Sequence, residues 1–351
     1  MIRTVPVDSF WPLDWIVSAR TLPASYLSLQ SWTFSLIPLP PIWAEEYAFA
    51  SMRSLVAIKL PTSISKIPAH CFQNVVTLQS IEIPEGVSAI DEYAFNFCPE
   101  LSTIKFPSTL KVIGKEAFYH AQKLSFKTFN EGLERIEKSA FGQVLGLEEV
   151  TMPSTLKYLG ETVFEACQRL KEVNLNEGLE YIGGAVFTLT PYLKDITIPL
   201  TVKTIQYNPL LGTGEAKIIM AKGNLNYKVV DEVLFNKDMT TLISYPYSKI
   251  TKDDTYRVPD SVTELGYNCF SMISKLDVLT LPTSIKKTNC SFDTILPDEV
   301  SKAYELSIYY EGNKDSWLAL DHGEFPWNIN ANFKDNVLHC KDGDIKLNSY
   351  H

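Results

Sequence analysis

Apolar and polar positions along this chain recur with a period of 23 residues. Phe49, Phe72, Phe95, Phe118, Phe141, Phe164 and Phe187 keep one frame without a slip, and Phe270 returns to it later. Self-similarity at a period of roughly 20–50 residues marks a stacked repeat architecture, in which each unit packs only on its neighbours. Taking the Pro or Asn that opens each unit as position 0 brings Pro38, Pro61, Pro84, Pro107, Asn130, Pro153, Asn176 and Pro199 into line, then Pro259 and Pro282.

Inside a unit the pattern changes period. Apolar residues at positions 20 and 22, such as Ile81/Ile83 and Val173/Leu175, alternate with polar ones and predict a short half-buried strand. The following Pro lacks a backbone donor and ends it. Apolar residues at positions 3 and 6, such as Leu110 and Ile113, predict a second extended segment. The small residue at 10, Phe at 11, small residue or Cys at 14 and Leu at 17 predict a short helix or helical turn. No single unit can bury its apolar side alone, so the units stack, and the Phe ladder becomes the core. With strands about 4.8 Å apart, some ten rungs make a rod on the order of 50 Å long.

Between Pro199 and Pro259 lie 60 residues, one unit of 23 plus 37 more. The extra stretch holds two β-rich runs around Asn236-Lys237-Asp238, which predicts a β-hairpin insertion that projects from or extends the sheet. After Pro282 the pattern fades, and Asp342-Gly343 between two alternating runs predicts a tight terminal hairpin. The expected organisation is an irregular N-terminal capping segment (1–37), a repeat array (38–220), the β-hairpin insertion (221–258), further repeats (259–295) and a C-terminal cap (296–351).

The unit Pro107-Ser-Thr-Leu-Lys-Val-Ile-Gly-Lys-Glu-Ala-Phe118, with Ala-Gln-Lys-Leu after it and Cys or a small residue at position 14, resembles the BspA-type leucine-rich repeat over roughly residues 38–295. The insertion is similar to one found inside such arrays in bacteria. The stretch Ile308-Tyr-Tyr-Glu-Gly-Asn-Lys-Asp-Ser-Trp317 is similar to C-terminal segments of gut-bacterial members and of some phage proteins. The resemblance implies a leucine-rich repeat solenoid, and a non-enzymatic surface or secreted protein that binds host proteins, matrix or cells.

Composition and charge narrow the partners. The net charge of −9, with no run of Lys or Arg, argues against nucleic acid. No stretch approaches 18 apolar residues, so no membrane span is expected. Pro6, Asp8, Pro12 and Asp14 interrupt the opening residues, so a secretory leader is not expected there, nor an anchoring or sorting segment after the array. A surface or secreted location is expected from the resemblance, with virion or cytoplasm as the alternatives, and a structural component of a larger assembly, virion or cell-surface appendage, is the alternative function.

Catalytic patterns are missing. The five histidines (70, 120, 322, 339 and 351) show no metal-ligand spacing, and no phosphate-binding glycine loop or nucleophile elbow occurs. Asp342 and Asp344 around one glycine do not make a calcium loop. No enzyme activity and no cofactor are expected. Cys71 and Cys269 occupy position 10, and Cys98 and Cys167 position 14, where Ala stands elsewhere; they are expected to be buried thiols. Cys98 and Cys167 lie three rungs apart, about 14 Å, whereas a disulfide needs Cα atoms within about 7 Å.

Position 4 alternates in charge, Lys111, Glu134, Lys157, Glu180, Lys203, so opposite charges are expected to meet on adjacent rungs. The outward strand positions 19 and 21 form the candidate ligand-binding face: Lys59, Glu82, Thr103, Lys105, Phe126, Thr128, Glu149, Thr151, Glu172, Asn174, Asp195 and Thr197. It runs from mixed and basic toward acidic. At Phe126 an aromatic falls on an outward position and Lys127 on an inward one, which predicts a local slip of the strand.

Overall fold

The computed structural model describes residues 45–247, 249, 251–273, 276–290, 306–323 and 337–346; the expected N-terminal capping segment 1–37 lies outside them. The chain winds as a β-solenoid whose successive units stack in parallel, offset by one repeat. Ala57–Lys59, Ser80–Glu82 and Thr103–Lys105 form one sheet, with Ala57, Ser80 and Thr103 side by side. The two-residue strands from Lys66–Ile67 to Thr204–Ile205 form a second, seven-stranded parallel sheet. Both sheets follow from the pattern: Ile at position 6 and apolar residues at position 20 face inward, and their neighbours face water.

The third side of the coil is not helical, which corrects the expectation. It consists of consecutive tight turns in which positions 9 and 13 adopt the left-handed conformation, as at Tyr93 (φ 57°), Phe97 (φ 56°), Glu116 (φ 51°) and His120 (φ 63°). A helix would satisfy its amides internally. Here every second amide points along the stack instead, with Phe72 N–H donating to the Ala94 carbonyl (2.7 Å) and Phe95 N–H to Ala117 (2.7 Å). The intervening amides close turns within the rung, as Asn96 N–H does on the Tyr93 carbonyl (3.1 Å). The turn amides thus find acceptors on the next rung or within their own, at the cost of left-handed non-glycine residues.

The Phe ladder is the core. Phe72 to Phe187 are no more than 1% exposed, and neighbouring rings stack at 5.1–5.9 Å from Phe49 to Phe187. The cysteines at positions 10 and 14, Cys71, Cys98, Cys167 and Cys269, are buried thiols, and Cys290 is buried too. Cys98 and Cys167 donate to the Phe72 and Phe141 carbonyls (both 3.1 Å).

Adjacent rungs are not identical; they alternate. Lys111 pairs with Glu134 (3.2 Å), and Glu180 takes both Lys157 (3.7 Å) and Lys203 (2.7 Å), as the position-4 charges predicted. Position 1 adds a second alternation. Glu85 accepts from the Ser108 amide (3.1 Å) and hydroxyl (2.9 Å), Glu131 from those of Ser154, and Glu177 from the Leu200 amide (3.0 Å). Next to these carboxylates stand Gly86 (φ 99°) and Gly132 (φ 112°), whose amides donate to Thr109 and Thr155. This part of the array therefore repeats every two rungs, with donor and acceptor rungs that fit only in alternation.

The insertion is a three-stranded meander, Tyr227–Val230, Val233–Asn236 and Thr241–Ser244. The turn at Asn236–Asp238 is as predicted, and Asn236 Oδ1 accepts from the Thr240 and Thr241 amides (both 2.9 Å). The longer apolar run folds back once more at Asp231-Glu232, both left-handed (φ 48° and 66°), the geometry that suits a two-residue hairpin. The meander extends the sheet: Thr241–Ser244 pairs in parallel with Glu264–Leu265 and so serves as a rung. Tyr227 Oη accepts from the Ile205 amide (2.7 Å) at the end of the seven-stranded sheet. The buried Lys249 ammonium donates to the Asp231 carbonyl (2.7 Å), tying down the meander tip. Beyond it, Thr255–Arg257, Val278–Leu281, Ser307–Tyr310 and Val337–Cys340 continue the strand face, and Gly343–Lys346 closes the predicted hairpin. Helix α1 (Lys314–Leu318), capped by Asn313, buries Trp317.

Candidate ligand-binding face

The strand side of the solenoid carries the outward residues predicted from positions 19 and 21. Ten of the twelve are exposed; Phe126 and Glu149 are half-buried. Register places Lys59, Glu82 and Lys105 in one column, where Lys105 pairs with Glu82 (3.2 Å). Thr151 and Asn174 stand side by side, as do Glu149 and Glu172, and Asn174 Nδ2 donates to Thr151 Oγ1 (3.4 Å).

Phe126 does not present its ring to solvent. It packs edge-on to Phe106 (5.5 Å) and Phe129 (4.9 Å) and against Phe141 (5.4 Å), while Lys127 turns outward to pair with Glu149. Burial of an aromatic ring outweighs a regular strand here, because only the inward side offers it apolar contact. The register does not slip beyond this point, since Thr128 still pairs with Thr151. Two residues exchange sides, and the strand-face sheet breaks between Thr103–Lys105 and Glu149–Thr151.

The break divides the face into two halves of different character. On the far side, Glu172, Asn174, Asp195 and Thr197 border a shallow groove of about 800 Å³, completed by Glu177, Tyr192, Lys194 and Glu215. Four carboxylates thus face one ammonium, and Lys194 lies 3.6 Å from Glu172. Asp195 Oδ1 accepts from the Lys217 amide (3.1 Å), which fixes its side chain. The Lys217 ammonium pairs with Glu232 (2.6 Å), which, with Asp195 and Glu215 nearby, holds its pKa above the usual lysine range. Tyr192 stands 67% exposed at the edge of the groove, and Ile219, the strand neighbour of Thr197, is 48% exposed.

Sequence reasoning placed four of the groove residues but not Tyr192, Glu177 or Glu215. Tyr192 sits in the bend before a strand, and Glu215 in the irregular rung before the insertion, outside the positions that the frame marks as strand face. The turn side offers a second set of aromatics, but Tyr47, His70 and Tyr93 stack on one another at 4.4 and 4.8 Å with Lys115 over the last ring. His70 thus lies between two rings and Lys115 covers Tyr93, while Tyr47 stays 41% exposed. His339 and Asp344 pair at 2.9 Å on the terminal hairpin. Among the described residues no group of three or more His, Cys, Asp or Glu could hold a metal ion, and no helix is long and apolar enough to cross a membrane.

Comparison with known proteins agrees with the frame. The model of the BspA type leucine rich repeat region matches six copies over residues 44–144, 89–213 and 225–293. A leucine rich cell surface protein from Faecalibacterium prausnitzii has a similar structure, with a TM-score of 0.57 and 21% identity over 77% of this chain and 91% of that one. The pneumococcal vaccine antigen PcpA gives a TM-score of 0.49 and 24% identity over 81% and 68% of the two chains. A leucine-rich repeat protein from Eubacterium ventriosum gives 0.47 and 21% over 71% and 60%. No curated protein matches the chain in sequence. The 23-residue frame, the parallel rungs it builds and the family match over most of the chain make this protein a member of the BspA-type leucine-rich repeat family.

Proposed function

We propose that this chain is a non-enzymatic binding protein that presents its strand face to a protein or cell-surface ligand. The observation that carries the reading is the concave groove beside Asp195 and Thr197 on this face. A rigid stack of rungs fixes these side chains at strand spacing, so little ordering entropy is lost when a ligand binds. A surface or secreted location belongs to the proposal; the F. prausnitzii protein of like fold is described as a cell surface protein.

The test uses the purified chain on intact cells and on immobilised extracellular matrix proteins. Saturable binding that is lost in a Thr151→Trp/Thr197→Trp variant and retained in Phe97→Ala, on the turn side, supports the reading. Equal binding by all three proteins overturns it. Recovery of the chain at fixed stoichiometry in purified particles, without any binding to cells or matrix, replaces it with a structural role in an assembly.

A further inference from the structure

We propose that the groove between Glu172 and Glu215 receives an arginine-bearing segment of a partner protein. This inference rests on the strand-face reading above and names the chemistry of the partner. Three independent features of the groove agree on it.

The first is charge. Glu172, Glu177, Asp195 and Glu215 line the groove against Lys194 alone. Asp195 and Glu177 each spend one oxygen on a backbone amide, of Lys217 and Leu200, and keep the other for a ligand. The other lysine on this rung pair, Lys217, pairs with Glu232 at 2.6 Å, so the charge it shares with Asp195 and Glu215 is partly spent elsewhere. The second is the Tyr192 ring, 67% exposed at the rim. An exposed aromatic face beside carboxylates matches a guanidinium, which stacks on the ring while donating in its plane. An ammonium, a compact point charge, uses the carboxylates but gains less from the ring. The third is shape. The groove lies across Asn174 and Thr197, whose short polar side chains leave room for an extended backbone, and exposed Ile219, the strand neighbour of Thr197, offers an apolar contact on the next rung. The other half of the strand face differs: Lys59, Glu82 and Lys105 alternate, and Lys105 is spent on Glu82.

Hexa-arginine is the probe, titrated against the full chain by calorimetry at low and physiological salt, with hexa-lysine and hexa-glutamate beside it. Binding of hexa-arginine is expected, weakened at least about tenfold by Asp195→Asn/Glu215→Gln and about three- to fivefold by Tyr192→Ala or by replacing arginine with lysine. Glu82→Gln, on the other half, is expected to leave it unchanged. Binding that the groove variants do not alter would show mere attraction to an acidic protein, and overturns the inference. So does absence of binding, or a concentration-dependent dimer, broken by Ile219→Glu, that occupies the same surface. If the groove variants are silent while Thr151→Trp/Thr197→Trp still abolishes binding to cells or matrix, this inference fails and the strand-face reading stands.

Discussion

Phe118→Ala is the sharpest perturbation of the stack. The ring is fully buried, stacked on Phe95 at 5.1 Å and on Phe141 at 5.2 Å, with Phe106 edge-on at 6.0 Å. Removing a buried Phe side chain costs about 3–5 kcal/mol through lost transfer energy and the cavity left behind. Each aromatic pair contributes roughly 0.5–1.5 kcal/mol beyond its area, so a ring with two stacked partners belongs at the upper end of that range. Phe49, half-buried and stacked on Phe72, should lose less than the fully buried Phe118. In a one-dimensional array the damage is also local to an interface, and weakening a central rung uncouples the two sides. The measurement is urea unfolding followed by circular dichroism, with hydrogen-exchange mass spectrometry to locate the loss. The expected result is a broadened or split transition for Phe118→Ala and faster exchange centred on the amides of Phe95, Phe118 and Phe141. A loss below about 1 kcal/mol, or equal effects of Phe49→Ala and Phe118→Ala, would refute the claim that the ladder is a continuous core.

Other outcomes follow from the same packing. Glu180→Lys places a third lysine between Lys157 and Lys203 and is expected to lower the urea midpoint slightly, an effect that 1 M salt removes. Burial pushes the thiols of Cys71, Cys98 and Cys167 up to about 12, so of the six cysteines only half-exposed Cys340 should react quickly with a thiol reagent in native protein. Hydrogen bonds from Lys203 and Arg257 hold the Glu180 and Glu311 carboxyls below their usual range. Their contribution to stability is complete above the unfolded carboxylate value of about 4.3 and is lost as pH falls through the lower folded values, which acid titration of the urea midpoint will show. Glu165 runs the other way: burial, then the neighbouring Glu116 and Glu161 carboxylates, raise its pKa against the pull of Lys138. Its ionisation costs stability as pH rises through that raised value, so Glu165→Gln should stabilise the protein at neutral pH and lose the advantage below about pH 4.

Much of this fold was legible because one frame governs it. A single period located the buried Phe ring of each rung, the inward cysteines, the strand face and the Lys–Glu column at position 4. The turn side was not legible. Tyr93, Phe97 and Glu116 are not residues that seek a left-handed backbone; the conformation comes from amides that must point to the next rung, a demand of the stack rather than of any one residue. The strand break at Phe126 carried a signal, an aromatic on the wet side of the pattern, but periodicity alone could not say whether the strand would slip or the ring would turn in. The meander hid its first turn because Asp231-Glu232 lacks the glycine or asparagine that usually marks one. In the groove, the frame supplied Glu172, Asn174, Asp195 and Thr197. Tyr192 falls at position 16 of the Asn176 unit, in the turn before the strand and so outside the marked strand face, and Glu215 enters from the irregular rung beside the insertion, where the frame no longer holds.

The central claim is that ligands meet the strand side of the solenoid and not its turns. Site-specific photo-crosslinking tests it directly, with a benzophenone side chain placed at Thr151 or Thr197 on the strand side and at Tyr47 or Phe97 on the turn side, and each protein irradiated on intact cells. The account predicts one cross-linked partner from Thr151 and Thr197 and none from Tyr47 or Phe97. The same partner captured from Tyr47 or Phe97, with the strand positions silent, would contradict it.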